Sequence, residues 1–152
     1  MKHIIILALL FSFSATTFVD AQSKTTQKEQ FQSTYNTIKA LVKSKNFEFV
    51  GEVVFSDAGR KRVDGDTNSL SINESKGIGS LSMLSSDTET VKIDGDISNY
   101  NVNFNDDMQN IAIQFSVNKM TVYIDIKPNG NAILTVETGV NKITQLGKLK
   151  SI

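Results

Sequence analysis

The chain has 152 residues, with 16 basic and 16 acidic side chains, a formal net charge of zero, one histidine and no cysteine. That balance gives no electrostatic argument for nucleic acid or an anionic membrane as partner. Without cysteine there is no disulfide, no thiol nucleophile and no cysteine-ligated zinc site.

The first element in chain order is a targeting segment, MKHIIILALLFSFSATTFVDAQS. Lys2 supplies the positive start, Ile4 to Phe13 the apolar run, and Val19-Asp20-Ala21 the small-residue cleavage site. A membrane span needs roughly 20 apolar residues, and this run has about half that. The reading is a signal peptide over residues 1–21, cut after Ala21, with an uncleaved anchor as the alternative. The mature protein is then expected in the periplasm or secreted, with no stable membrane span. Cleavage leaves 131 residues, enough for one hydrophobic core. It also removes His3, which excludes Ser-His-Asp and Cys-His catalysis.

Residues 22–45 form the N-terminal helical segment. Phe31, Tyr35, Ile38, Leu41 and Val42 fall on one helical stripe, which predicts a helix over Lys28 to Lys43. Lys39, Lys43 and Lys45 gather at its C-terminal end, where cations meet the negative pole of the helix dipole. The apolar stripe is expected to cover the strands that follow.

From Asn46 to the end, over 46–152, the apolar period is two. Phe47, Phe49, Gly51, Val53 and Phe55 alternate along a first strand, and Leu70 and Ile72 mark a second. Asp64-Gly65-Asp66 and Asp94-Gly95-Asp96 read as turns, Arg60-Lys61-Arg62 as a solvated basic loop, and Gly77-Ile78-Gly79-Ser80 as a connector. Val91 and Ile93 form a short strand. In a separate one, Tyr100, Val102 and Phe104 alternate with Asn99, Asn101 and Asn103 on the wet face.

The next two hairpins fix their own register. A two-residue Asn118-Lys119 loop opposes Val117 with Met120, Phe115 with Val122, Ile113 with Ile124 and Ile111 with Ile126. For the following hairpin, a two-residue Asn129-Gly130 loop would set Ile124 against Thr135. A three-residue loop, Pro128-Asn129-Gly130, sets Ile126 against Ala132, Ile124 against Leu134 and Val122 against Val136. Pro at the second turn position and Gly at the left-handed one suit that longer loop, so the segment reads as a bend. A last strand, Lys142 to Leu149, carries Ile143, Leu146 and Leu149. The expected architecture is mainly β: an antiparallel meander of about eight strands curled into a barrel or half-barrel, with one N-terminal α-helix. A two-sheet sandwich is the alternative.

Asn46-Phe47-Glu48-Phe49, the run Ile126-Lys127-Pro128-Asn129-Gly130-Asn131-Ala132-Ile133-Leu134-Thr135-Val136, and Ile143-Thr144-Gln145-Leu146-Gly147 together resemble the domain of unknown function 4251 family. The resemblance covers about residues 40 to 150. It implies a small exported protein of Gram-negative bacteria with a lipocalin-like barrel and an N-terminal helix, and it implies no activity. A Leu-Pro-Tyr-Phe-Gly-like segment common in the family is replaced here by Leu81-Ser82-Met83-Leu84-Ser85.

Asp64-Gly65-Asp66-Thr67-Asn68 begins like a calcium loop, but Ser69 stands where glycine belongs and Ser75 where glutamate does. No metal ligands, cofactor or catalytic residues are therefore assigned. The expected function is a non-enzymatic envelope module that binds a small amphiphile or a protein partner. Its candidate lining is Phe49, Phe55, Tyr100, Phe104, Phe115, Val122 and Ile124. The alternative is a calcium-binding envelope protein or a hydrolase working with Asp64, Asp66, Asp94 and Asp96.

Overall fold

The computed structural model describes residues 26–57, 59–84, 90–139 and 141–152. The expected signal peptide lies outside them. Helix α1, Gln27–Ser44, begins at a capping box: Glu29 N–H donates to Thr26 Oγ1 (3.3 Å) and Thr26 N–H to the Glu29 carboxylate (2.8 Å). It ends at Lys45 in the left-handed conformation, φ 54°. Tyr35, Ile38 and Val42 are its buried face, as the stripe predicts.

Nine strands follow: β1 Asn46–Ser56, β2 Gly59–Arg62, β3 Ser69–Asn73, β4 Lys76–Ser82, β5 Thr90–Asn105, β6 Asn110–Val117, β7 Met120–Ile126, β8 Asn131–Glu137 and β9 Lys142–Ser151. Each pairs antiparallel with a neighbour, and β9 also pairs with β1 from Phe47↔Ser151 to Phe55↔Thr144. That last pairing closes an eight-stranded barrel and settles barrel against sandwich. β2 and β3 divide one edge of β1 between them, β3 against Asn46–Val50 and β2 against Val53–Ser56.

Both hairpin registers match the pairing expected from the sequence. Ile111↔Ile126 through Val117↔Met120 join β6 to β7, and Ile126↔Ala132 through Val122↔Val136 join β7 to β8. Asn118 and Lys119 both have positive φ (47° and 64°), the requirement of a two-residue hairpin turn. Gly130 takes φ 85° in the three-residue loop, and its N–H donates to the Lys127 carbonyl (2.9 Å).

Three expectations differ from what is observed. The two strands around Asp94-Gly95-Asp96 are one, β5, bulged between Ser98 and Asn101 with Asn99 at φ 54°. Gly95 does not turn; it makes room for the Asn118 side chain, which hydrogen-bonds to the Asp94 carbonyl. The Gly77–Ser80 connector is strand β4, where a Cβ on Gly79 would lie 2.8 Å from Leu70 Cα across the pair. The basic run Arg60-Lys61-Arg62 is strand β2 instead of a loop. Asp64-Gly65-Asp66 is a turn, with Asp66 N–H donating to the Asp64 carboxylate (3.1 Å).

Helix α1 crosses the barrel end formed by the β5–β6 and β7–β8 connections. Gln109 Nε2 donates to the Lys28 carbonyl (2.9 Å) and to Gln32 Oε1 (2.8 Å), and Gly130 sits beside Thr34 and Ile38. Asp106 accepts from Lys39 Nζ and from Tyr35 Oη (2.5 Å). The Lys39 ammonium foremost, then the Tyr35 hydroxyl, hold the Asp106 carboxyl below its ordinary value. Burial, with Asp106 beside it, pushes the Tyr35 hydroxyl up to about 12. A carboxyl with a lowered folded pKa contributes stability above the ordinary aspartate range, and that stability drains away as pH falls through it. Asp106→Asn is expected to flatten the acid limb of stability against pH below about pH 4. Urea midpoints followed by tyrosine fluorescence check this, and parallel curves for variant and parent would discount the anchor.

Candidate functional site

The barrel interior is made by alternate residues of every strand. Phe49, Phe115, Val122 and Ile124 are fully buried there, in one apolar cluster with Phe47, Leu134 and Val136. Tyr100 and Phe104 pack against that cluster at the helix end, half-buried. Lys45 Nζ lies 4.8 Å from the centroid of the Tyr100 ring, and Lys39 and Lys43 lie 5.4 and 5.7 Å from that of Phe104. Burial pushes the Tyr100 hydroxyl up to about 12, and it has no hydrogen-bond partner among the described residues. Six of the seven lining residues are thus brought together, as core packing.

Phe55 is the one set apart. The β1–β9 pairing runs in one register to Gly51↔Gly147 and resumes one residue out of step at Val53↔Leu146, leaving Glu52 unpaired as a bulge. Side chains alternate across a strand, so one extra residue reverses every side chain beyond it. Val54 becomes the core residue, 1% exposed, while Val53 and Phe55 turn to the outer wall. Strand β9 keeps one unbroken alternation past the bulge. Ile143, Gln145 and Gly147 point inward, and Leu146 points out beside Val53.

Two rows then cross the outer face of β2, β1, β9 and β8. One is Arg62, Val53, Leu146 and Ile133; the other is Arg60, Phe55, Thr144 and Thr135. An apolar strip therefore lies against a column of guanidinium groups. Val53, Phe55, Arg60, Lys61, Arg62 and Leu146 line a groove of about 340 Å³ there. A second cavity of about 220 Å³ is lined by Val54, Lys61, Arg62, Val63, Asp64, Ser82 and Met83. Among the described residues neither Arg60 nor Arg62 has an acidic partner, whereas Lys148 pairs with Glu52 at 3.7 Å and Lys142 with Glu137 at 3.6 Å. Guanidinium groups suit carboxylates, which they grip with two parallel hydrogen bonds.

Beside β2 the wall is completed by amide side chains. Asn68 and Gln145, both 0% exposed, exchange hydrogen bonds of 2.7 and 3.0 Å. Ser82 N–H donates to Asn68 Oδ1 (2.7 Å), and Gln145 Nε2 donates to the Ser82 carbonyl (3.0 Å). Gly51 lies over this pair, where a Cβ would collide with both amides. Sequence reading missed the pair, although Ile143, Gln145 and Gly147 already stood on one phase of the last strand. A third cavity, about 440 Å³, is polar and lies by Lys119, Glu137 and Lys142. Asp64 and Asp66 stand in a turn while Asp94 and Asp96 stand on β5.

Comparison with known families places residues 29–147 within Domain of unknown function (DUF4251). The chain belongs to that family. A crystal structure of a DUF4251 family protein from Bacteroides eggerthii DSM 20697 superposes with a TM-score of 0.66 at 20% identity. The match covers 82% of this chain and 92% of that one. At that identity the likeness carries the fold. A search of curated proteins finds no match. The DUF4251 name attaches no activity, so function has to be argued from the outer groove and the wall around it. No helix among the described residues is long and apolar enough to cross a membrane.

Proposed function

We propose that this DUF4251 protein is an exported, non-enzymatic interaction module, periplasmic or secreted, that holds a protein partner against the outer face of β2, β1 and β9. The observation that carries the reading is the bulge at Glu52. It places an aromatic side chain, Phe55, on the outer wall beside two arginines that have no acidic partner among the described residues. Aromatic and arginine side chains are the residues that carry most binding energy at protein interfaces. Phe49, Phe115, Val122 and Ile124 act as filling that keeps the wall rigid. Export rests on the charged, apolar and small-residue pattern of residues 1–21.

A second reading, a small amphiphile with an acidic head, draws on the size of the groove and its pairing of apolar floor with arginine. One experiment separates the two. A photo-crosslinking aromatic is placed at Leu146 in the full-length chain and irradiated in the native host. A protein adduct that Phe55→Ser weakens roughly tenfold, the size of a modest interface anchor, supports partner binding. A lipid adduct favours the second reading, and no adduct at all removes both. Phe55→Ser should leave the urea midpoint nearly unchanged, because Phe55 packs outside the core. Mature protein from the envelope fraction should begin at Gln22, and an intact Met1 would remove export.

A further inference from the structure

We infer that the partner is a second copy of this chain, which lays the paired carboxylates Asp94 and Asp96 of its β5 against Arg60 and Arg62 in the groove of the first. The inference rests on the partner-binding reading and names the occupant of that surface.

The groove presents its guanidinium groups in one column. Arg60 and Arg62 stand two residues apart on β2, opposite Phe55 and Val53 of β1, and both are exposed. Residues two apart on a strand share a face at a spacing of about 7 Å. The matching surface therefore needs two carboxylates at that same spacing, each able to take a guanidinium. It also needs an apolar side chain on the flank that meets Phe55, Val53 and Leu146.

The barrel carries such a surface on another wall. Strand β5 turns Ile93 into the core, 1% exposed, so Asp94 and Asp96 point outward on the alternate phase, and both are exposed. Ile78 of β4 stands directly opposite Asp94, and at 53% it is one of three exposed large apolar side chains among the described residues. Lys92 precedes Asp94 on that face and Lys76 stands opposite Asp96. Even so, among the described residues no ion pair reaches Asp94, Asp96, Arg60 or Arg62. Two cations without acids and two acids without cations, at one spacing and each beside apolar surface, satisfy one another across two copies. Pairing groove with groove is disfavoured, because it sets arginine against arginine. Strand β3 lies between the two patches, so one copy gives and receives at once. Association then runs head to tail, as an open chain or a closed ring.

Sedimentation velocity of the purified protein between about 10 µM and about 1 mM, the range of small transient interfaces, reads the association. The parent is expected to sediment faster as concentration rises, and a parent that stays monomeric throughout overturns the inference. Arg60→Glu with Arg62→Glu, and separately Asp94→Arg with Asp96→Arg, should each weaken association at least roughly a hundredfold, because like charges then meet at both positions. Mixing the two variants restores opposite charges at every contact, so the mixture should associate as the parent does. A variant that still associates like the parent, or a mixture no more associated than its components, would each overturn the pairing. Ile78→Ser should weaken association roughly tenfold at an unchanged urea midpoint, and parent-like association of that variant removes the proposed contact. The crosslink from Leu146 separates this inference from the reading beneath it. An adduct between two copies supports both. An adduct with a different protein overturns the second copy and leaves the partner surface standing, whereas a lipid adduct or none removes both.

Discussion

Replacing Gly147 by alanine will cost the barrel about 3 kcal/mol or more, at the upper end of overpacking penalties. A Cβ there would overlap the Val50 carbonyl oxygen and come within 2.8 Å of the tip of the Phe49 ring. The ring is one of the largest fully buried side chains, and Val50 is held by β3 on one edge and β9 on the other. Neither neighbour can swing away, so the strands themselves must part at the point where the barrel closes. Native domains hold only about 5–15 kcal/mol in reserve, and the expected fall in Tm is roughly 10 °C. Gly139 supplies the comparison, since it has φ 87° and open space around it. Alanine there meets only backbone strain, about 1 kcal/mol. Calorimetry of the two variants decides the matter: a Gly147→Ala melt within 2 °C of the parent's, on the order of a 0.5 kcal/mol loss, would mean that the strands are not in such close contact.

The second large effect is expected at Gln145→Glu, and its direction depends on pH. Gln145 Nε2 donates to Asn68 Oδ1 and to the Ser82 carbonyl. An ionised carboxylate has no proton to donate, so two acceptors would face a buried negative charge. Asn68 cannot turn its amide over to help, because its Oδ1 already accepts from Ser82 N–H. Leaving a buried charge uncompensated costs about 3–5 kcal/mol. Burial raises the folded pKa of the introduced carboxyl above its unfolded value near 4.3. The protonated form can donate to one of the two acceptors, so stability is greatest below pH 4.3 or so and is lost as pH rises through the raised value. The slope is opposite in sign to that of the Asp106 contact. Gln145→Met, which cannot titrate, should show no such slope in urea midpoints at pH 4 and pH 7. Parallel behaviour of the two variants would show that water reaches the amide pair.

Much of the wall was legible because hairpin registers are local. Val117 could face Met120, and Ile124 could face Leu134, only if turn chemistry and apolar phase agreed, and they did. The helix was legible from its stripe. What the residues did not announce was long-range. Nothing beside Glu52 marks a bulge except Gly51, so strict alternation placed Phe55 among the lining residues when it belongs outside. Asp94-Gly95 has the composition of a turn, but pairing with β4 on one edge and an Asn118 side chain over Gly95 hold it extended. The basic run reads as solvated loop because, among the described residues, its four-residue strand is held by pairing with β1 alone. In the last strand Leu146 and Leu149 are the prominent apolar residues, yet a spacing of three cannot lie on one face. The inward phase held a glutamine whose partner, Asn68, is 77 residues away. The outer groove inherits both difficulties, since its apolar residues come from two strands, β1 beyond its bulge and β9 on the phase opposite Gln145.

The seam between β1 and β9 also bears on the order of folding. The opening strand of the cylinder cannot find its final neighbour until the strands between them are in place. Until then the chain is an unsealed sheet with two raw margins, a late and slow closure of the kind that long-range pairing imposes. Shortening the C-terminal strand should therefore leave a chain that accumulates as aggregates while its local hairpins still form.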